Sequence, residues 1–162
     1  MYTSIEKIKQ YADGHGFRLA GEIPKVTFLK EEDTVTGASA KTVSVAYYSN
    51  YIVGYQYDEA TKLYNRLINK QPHIDLETKE QLTAKNVLVV RAKHWSIGNT
   101  KRGIDIDGPG KGYLFQNGVV RAIDWKMEGG VIRVYENGVE QGLYPGKTWI
   151  IVVEPQTDVS YQ

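Results

Sequence analysis

The chain has 162 residues, 41% of them hydrophobic and 24% charged, and contains no cysteine. Its 20 Lys and Arg balance 19 Asp and Glu to a net charge of +1. The basic excess or stripe of a nucleic-acid-binding domain is therefore missing, and the longest basic cluster, Lys101-Arg102, stops at Gly103. Disulfides, thiolate nucleophiles and Cys-ligated zinc are excluded outright.

A chain of this length buries most of its apolar surface in one core. No apolar run approaches the roughly 18 residues of a membrane span. Met1-Tyr2-Thr3-Ser4 has no basic region leading into an apolar one, so an export signal, if the parent protein has one, is expected upstream.

In chain order, Thr3 and Glu6 have capping-box spacing and predict a helix start. Ile5, Ile8 and Ala12 fall on one helical face, and Gly14 and Gly16 bracket its stop. Val26 to Leu29 reads as a short strand, and residues 31–41 read as a polar loop or linker.

From Thr42 the period changes to two. Val43, Val45 and Tyr47 share a face, Ser49-Asn50 makes a two-residue turn, and Tyr51, Val53, Tyr55 and Tyr57 alternate on the way back. Lys62 to Ile68 is a third strand of this meander, whose tyrosines suit a pleated, half-buried surface. Pro72 to Ala84 is irregular. Asn86 to Ala92 is almost wholly apolar, as a strand covered on both faces should be.

The last third is the most regular. Arg102 to Asp107 alternates Ile with Asp, and Gly108-Pro109-Gly110 is a turn. Gly112–Gln116 and Val119–Trp125 flank Asn117-Gly118, and Val131–Glu136 and Val139–Leu143 flank Asn137-Gly138. Asn-Gly between alternating segments predicts a hairpin, because a type I′ turn needs positive φ at both positions. Tyr144-Pro145-Gly146-Lys147 fits a type II turn. Thr148 to Val153 is the final buried strand, with Trp149 and Trp125 in the core, and Pro155 ends it.

The expected fold is mainly β, or α+β by element count: an antiparallel meander and hairpin sheet, or a barrel-like domain, with one N-terminal helix. The expected organisation is an N-terminal helix and linker over 1–40, belonging to the end of an upstream domain; a β-rich domain over 41–155; and a frayed tail over 156–162.

An ordered set of segments carries a family likeness: Tyr55-Gln56-Tyr57-Asp58, Tyr64-Asn65-Arg66, Asp75 with Leu82 and Asn86-Val87-Leu88-Val89, Gly110-Lys111-Gly112-Tyr113, Asn117-Gly118 with Trp125, and Pro145-Gly146-Lys147-Thr148-Trp149-Ile150. Together they resemble the C-terminal half of YerB-type lipoproteins of Gram-positive bacteria, a family of uncharacterised function. The likeness spans Val43 to Glu154, and Tyr2-Thr3-Ser4 resembles the end of that family's N-terminal half. Two places depart from it: Ile123-Asp124 stands where a Gly-Thr pair is expected before the Trp, and Ser96 to Arg102 lacks an acidic turn. The resemblance implies an extracytoplasmic protein, membrane-anchored only through an upstream lipid group, and no catalytic residues or cofactor.

Read for chemistry, the residues are sparse. Gly108-Pro109-Gly110-Lys111-Gly112 fails the spacing and the following Ser or Thr of a phosphate loop. Asp105 and Asp107, two apart in a predicted strand, point to one face, where paired carboxylates could serve a metal or a glycosidase; the plainer reading is a solvated face with Ile104 and Ile106 inward. His15, His73 and His94 are scattered and form no metal motif. The most informative set is Tyr51, Tyr55, Tyr57, Tyr64 and Arg66 on neighbouring strands with Asp75 beyond. These side chains could stack on a sugar and bond its hydroxyls, against a plainer reading as cross-strand packing. The expected function is a non-catalytic module of a cell-envelope lipoprotein that binds a partner protein or cell-wall glycan, and not nucleic acid. The alternative is a cell-wall glycan hydrolase using paired carboxylates.

Overall fold

The computed structural model of the chain describes residues 3–21 and 24–162; Tyr2, part of the Tyr2-Thr3-Ser4 resemblance, lies outside them. Helix α1 spans Ile5–Gly14. Its cap is Ser4 rather than Thr3, since Ser4 Oγ accepts the Lys7 N–H at 3.3 Å from an extended backbone. Ile5 and Ile8, expected to pack, are exposed, and Ala12 alone is buried.

Among the described residues fifteen strands follow: β1 (Ala38–Ser39), β2 (Thr42–Tyr48), β3 (Tyr51–Asp58), β4 (Leu63–Ile68), β5 (Gln71–Pro72), β6 (Thr83–Ala84), β7 (Asn86–Arg91), β8 (His94–Ser96), β9 (Arg102–Ile104), β10 (Gly110–Gln116), β11 (Val119–Glu128), β12 (Val131–Glu136), β13 (Val139–Glu140), β14 (Thr148–Val153) and β15 (Asp158–Tyr161). Sheet one runs β13-β12-β11-β10-β7-β14, with β1 added to β11. Sheet two runs β15-β2-β3-β4-β5, with β6 added to β4, and β8-β9 is a separate ribbon. Both sheets are open, so the barrel-like alternative does not form.

The Asn-Gly hairpins are as predicted: Asn117 and Gly118 have φ of 48° and 74°, and Asn137 and Gly138 of 51° and 79°. Both residues thus occupy the left-handed region a type I′ turn demands. The meander also forms, with Val43 opposite Tyr55 and Tyr55 opposite Arg66.

Three segments differ from expectation. The Val26–Leu29 stretch makes only a single bridge, Phe28 to Leu143. The linker is partly structural: β1 pairs with β11, and Ala40 is fully buried with its N–H donating to Gly118 O at 2.8 Å. The tail does not fray, because β15 pairs antiparallel with β2 and Tyr161 packs edge-on against Tyr113 and Phe115.

The main core lies between the sheets. Val43, Val45, Val53, Tyr55 and Tyr64 of sheet two meet Val87, Val89, Phe115, Ile151 and Val153 of sheet one. Side chains of this kind contribute about 1.5–3 kcal/mol each when buried. A second cluster, Leu88, Val90, Leu114, Ile123, Trp125 and Val134, covers the other face of sheet one. That explains the unbroken apolar run of β7, which is covered on both sides. β14 is not an interior strand. It pairs with β7 alone, and in parallel, so it forms the edge of sheet one and leaves Ile150 46% exposed.

Candidate functional site

Period-two alternation places Tyr55, Tyr57, Tyr64 and Arg66 on one face of sheet two, the inner one. Tyr55 and Tyr64 are fully buried and Arg66 is 6% exposed. Arg66 Nε donates to Tyr55 Oη at 3.3 Å, and its Nη1 donates to His73 Nδ1. The guanidinium carbon sits 4.2 Å from the Trp149 ring centroid. Tyr64 Oη donates to Ala40 O at 3.3 Å and accepts the Gly118 N–H at 3.1 Å. Tyr57 lies 5.1 Å from Tyr64, centroid to centroid, and flanks Gly118, where a Cβ would fall 2.9 Å from its ring.

Burial pushes the phenol groups of Tyr55 and Tyr64 far up, and for Tyr55 the Arg66 cation only partly opposes this. Both therefore stay neutral. Their rings are spent on the core and on each other, which is the cross-strand packing the sequence also allowed.

Asp75 stands apart in the turn between β5 and β6. Its Oδ1 accepts from Thr78 N at 2.8 Å, Glu77 N at 2.9 Å and Thr78 Oγ1 at 3.2 Å. The Thr78 and Glu77 backbone N–H groups hold its carboxyl below the usual range. A carboxyl so held is a poor proton donor, because a general acid needs its pKa raised.

Asp105 and Asp107 are not in a strand. β9 ends at Ile104, and the Asp107 N–H turns back to Asp105 Oδ1 at 3.3 Å. Ile104 and Ile106, expected to point inward, are 42% and 44% exposed. The main-chain bonds explain it: Asp105 N donates to Lys93 O at 2.9 Å, and Asp107 O accepts from Met127 N at 2.9 Å. The segment bends between two neighbours instead of continuing one ladder.

Several open hollows mark the described surface, one of them lined in part by Tyr55. A groove at the C-terminal end of β14 is lined by Tyr47, Tyr48, His94, Arg102, Ile104, Val152, Val153, Glu154 and Thr157. The β2–β3 hairpin supplies its aromatics. Tyr48 is 70% exposed, while Tyr47 is half-buried, 5.8 Å from Tyr51 between centroids. The β8–β9 ribbon supplies the opposite wall, stiffened by Trp95 lying across Gly103, where a Cβ would meet the indole at 2.2 Å. Arg102 Nη1 and Glu154 Oε1 sit 3.8 Å apart. His94 Nδ1 is buried and has no hydrogen-bond partner among the described residues.

Sequence reasoning missed this groove. It noted Tyr47 only as a strand residue and His94 only as isolated. The signal present was the cluster Tyr47, Tyr48 and Tyr51 around a two-residue turn, since one of two adjacent strand residues must face outward. The groove offers aromatic faces and a charge pair. Such a surface can stack on and hydrogen-bond a polar chain.

The comparisons with known proteins agree with the fold. Residues 43–150 match the model described as "Protein of unknown function (DUF3048) C-terminal domain". The chain is 34% identical over 163 residues to "Putative lipoprotein YerB" of Bacillus subtilis strain 168, covering 98% of this chain and 49% of that protein. It matches the crystal structure of the YerB protein from Bacillus subtilis with a TM-score of 0.78 and 33% identity, over 98% of this chain and 54% of that one. It thus spans about half the length of the relative. By sequence and by fold, the chain belongs to the family of DUF3048 C-terminal domains, the expected YerB-type family.

Proposed function

We propose that the chain is a non-catalytic, extracytoplasmic module of a cell-envelope lipoprotein, and that it binds a partner protein or a cell-wall polymer through the groove beside β14. The observation that carries this is the groove itself, which the exposed Tyr48 lines together with the Arg102–Glu154 pair. Such mixed surfaces recognise extended polar partners through a few aromatic anchors. The lipoprotein name of its relative supports an envelope location, with the lipid anchor upstream.

Glycan hydrolysis is the weaker reading. It needs two carboxyl groups facing each other across a cleft, one of them protonated. Asp105 and Asp107 share a single turn, and Asp75 is held ionised by the Thr78 and Glu77 backbone N–H groups. The test is retention of the purified chain on isolated cell walls, together with crosslinking on intact cells. Saturable retention or one reproducible crosslinked partner is expected. Release of reducing sugar from the walls would instead restore the hydrolase.

A further inference from the structure

Resting on that reading, we propose that β14 receives an extended peptide segment of a partner protein as an added strand on its free edge.

The four ends of the two sheets are unequal. β13 and β5 have two residues each and β15 has four, whereas β14 has six, Thr-Trp-Ile-Ile-Val-Val, with no charge, Pro or Gly. Short or charged edge strands are the usual protection against unwanted pairing. β14 has the composition of a strand that expects a neighbour.

Its hydrogen-bonding groups point the same way. Lys147 O and Val153 O accept from Asn86 N and Ala92 N, so the odd-numbered residues face β7. Strand geometry then turns the N–H and C=O of Thr148, Ile150 and Val152 outward. Among the described residues none of these groups meets a backbone partner. The one contact is a 3.5 Å bond from Tyr47 Oη to Val152 O, which a strand N–H would displace. Only an extended backbone offers donors and acceptors at this spacing, so the occupant is a polypeptide and not a glycan.

Depressions flank the edge at both ends. The Tyr48 groove adjoins Val152 to Glu154, and a second hollow beside Pro145, Gly146 and Lys147 is walled by Leu63 and Lys85. Six residues of strand span roughly 20 Å, so one extended segment reaches from one hollow to the other.

Amide hydrogen exchange followed by NMR, with the acetylated peptide Thr-Val-Thr-Val-Thr-Val-Thr as ligand, tests this. At nine-tenths occupancy the Thr148, Ile150 and Val152 amides should slow by roughly tenfold, while those of Trp149, Ile151 and Val153 stay unchanged. The same peptide N-methylated at every residue, with no N–H left on either edge, should protect none of them. In Ile150→Pro the substitution removes only an outward N–H, so peptide binding should be lost, and Ile150→Thr should keep it. Protection by the N-methylated peptide as well, or absence of protection by the unmodified one, overturns the proposal. So does protection that rises with protein concentration alone, which would give the edge to a second copy. If the chain still binds its envelope partner while Ile150→Pro binds it equally, strand addition fails and the module reading stands. If the unaltered chain binds no envelope partner, that reading itself fails.

Discussion

The Arg66 guanidinium lies 4.2 Å over the ring of Trp149, and this contact joins the inner face of sheet two to the edge strand of sheet one. Among the described residues Arg66 has no carboxylate within ion-pairing distance. A buried cation held by a ring, a phenol and an imidazole depends on planar stacking, which an ammonium cannot reproduce.

Arg66→Lys should therefore destabilise more than Arg66→Met, the apparently less conservative change. Lysine keeps a buried charge and loses both the stack and the fork, costing about 3 kcal/mol. Methionine removes the charge and fills the space, at about 1–2 kcal/mol. Trp149→Ala should cost about 3 kcal/mol. Urea unfolding midpoints rank the three, and equal or reversed losses for Lys and Met would contradict the arrangement.

His73 accepts from the same guanidinium. Burial first, and the Arg66 charge second, lower its pKa below the ordinary 6.5. Because the folded value lies below the unfolded one, the stabilisation is fully present above pH 6.5 and is lost as pH falls through the folded value. NMR titration should find His73 below 6.5, with Arg66→Met moving it upward. A titration at or above 6.5 would refute the pairing.

Gly112 and Gly54 both sit inside strands but should respond differently to a methyl group. At Gly112 a Cβ would lie 2.2 Å from the Val89 carbonyl oxygen, a backbone atom of β7. At Gly54 the nearest atom is Leu67 Cβ, at 3.4 Å. Gly112→Ala should cost about 3 kcal/mol or more and Gly54→Ala less than about 1 kcal/mol, read by thermal and urea denaturation. Similar losses at the two sites would show that β7 and β10 are not packed at this distance.

These cases show where sequence is informative. The hairpins could be read because Asn117-Gly118 and Asn137-Gly138 encode their turns in two adjacent residues. The parallel pairing of β14 with β7 could not, since fifty-six residues separate Arg91 from Thr148 and a buried parallel strand and a half-covered edge strand share one composition. Nor could the role of Asn86, which sits in an apolar run yet is fully buried. It donates to Tyr144 O and accepts from Gln116 Nε2 and Tyr144 N. The predicted site suffered from the same ambiguity. Alternation correctly placed Tyr55, Tyr57, Tyr64 and Arg66 together, but period two does not say which face is inside.

The groove makes a claim about binding that stability does not confound. Tyr48 is 70% exposed, so Tyr48→Ser should leave the unfolding midpoint within about 0.5 kcal/mol of the unaltered chain. A larger loss would mean that the ring packs against the β8–β9 wall and is not free to meet a ligand.

The most direct measurement is retention on purified cell walls, paired with crosslinking on intact cells, for the unaltered chain beside Tyr48→Ser. Saturable binding or a single reproducible partner is predicted. Affinity should fall by about tenfold in the variant, the loss expected when an interface tyrosine is truncated. No retention and no partner, or binding that is the same in both proteins, would contradict the assignment of this groove as the site where the module binds.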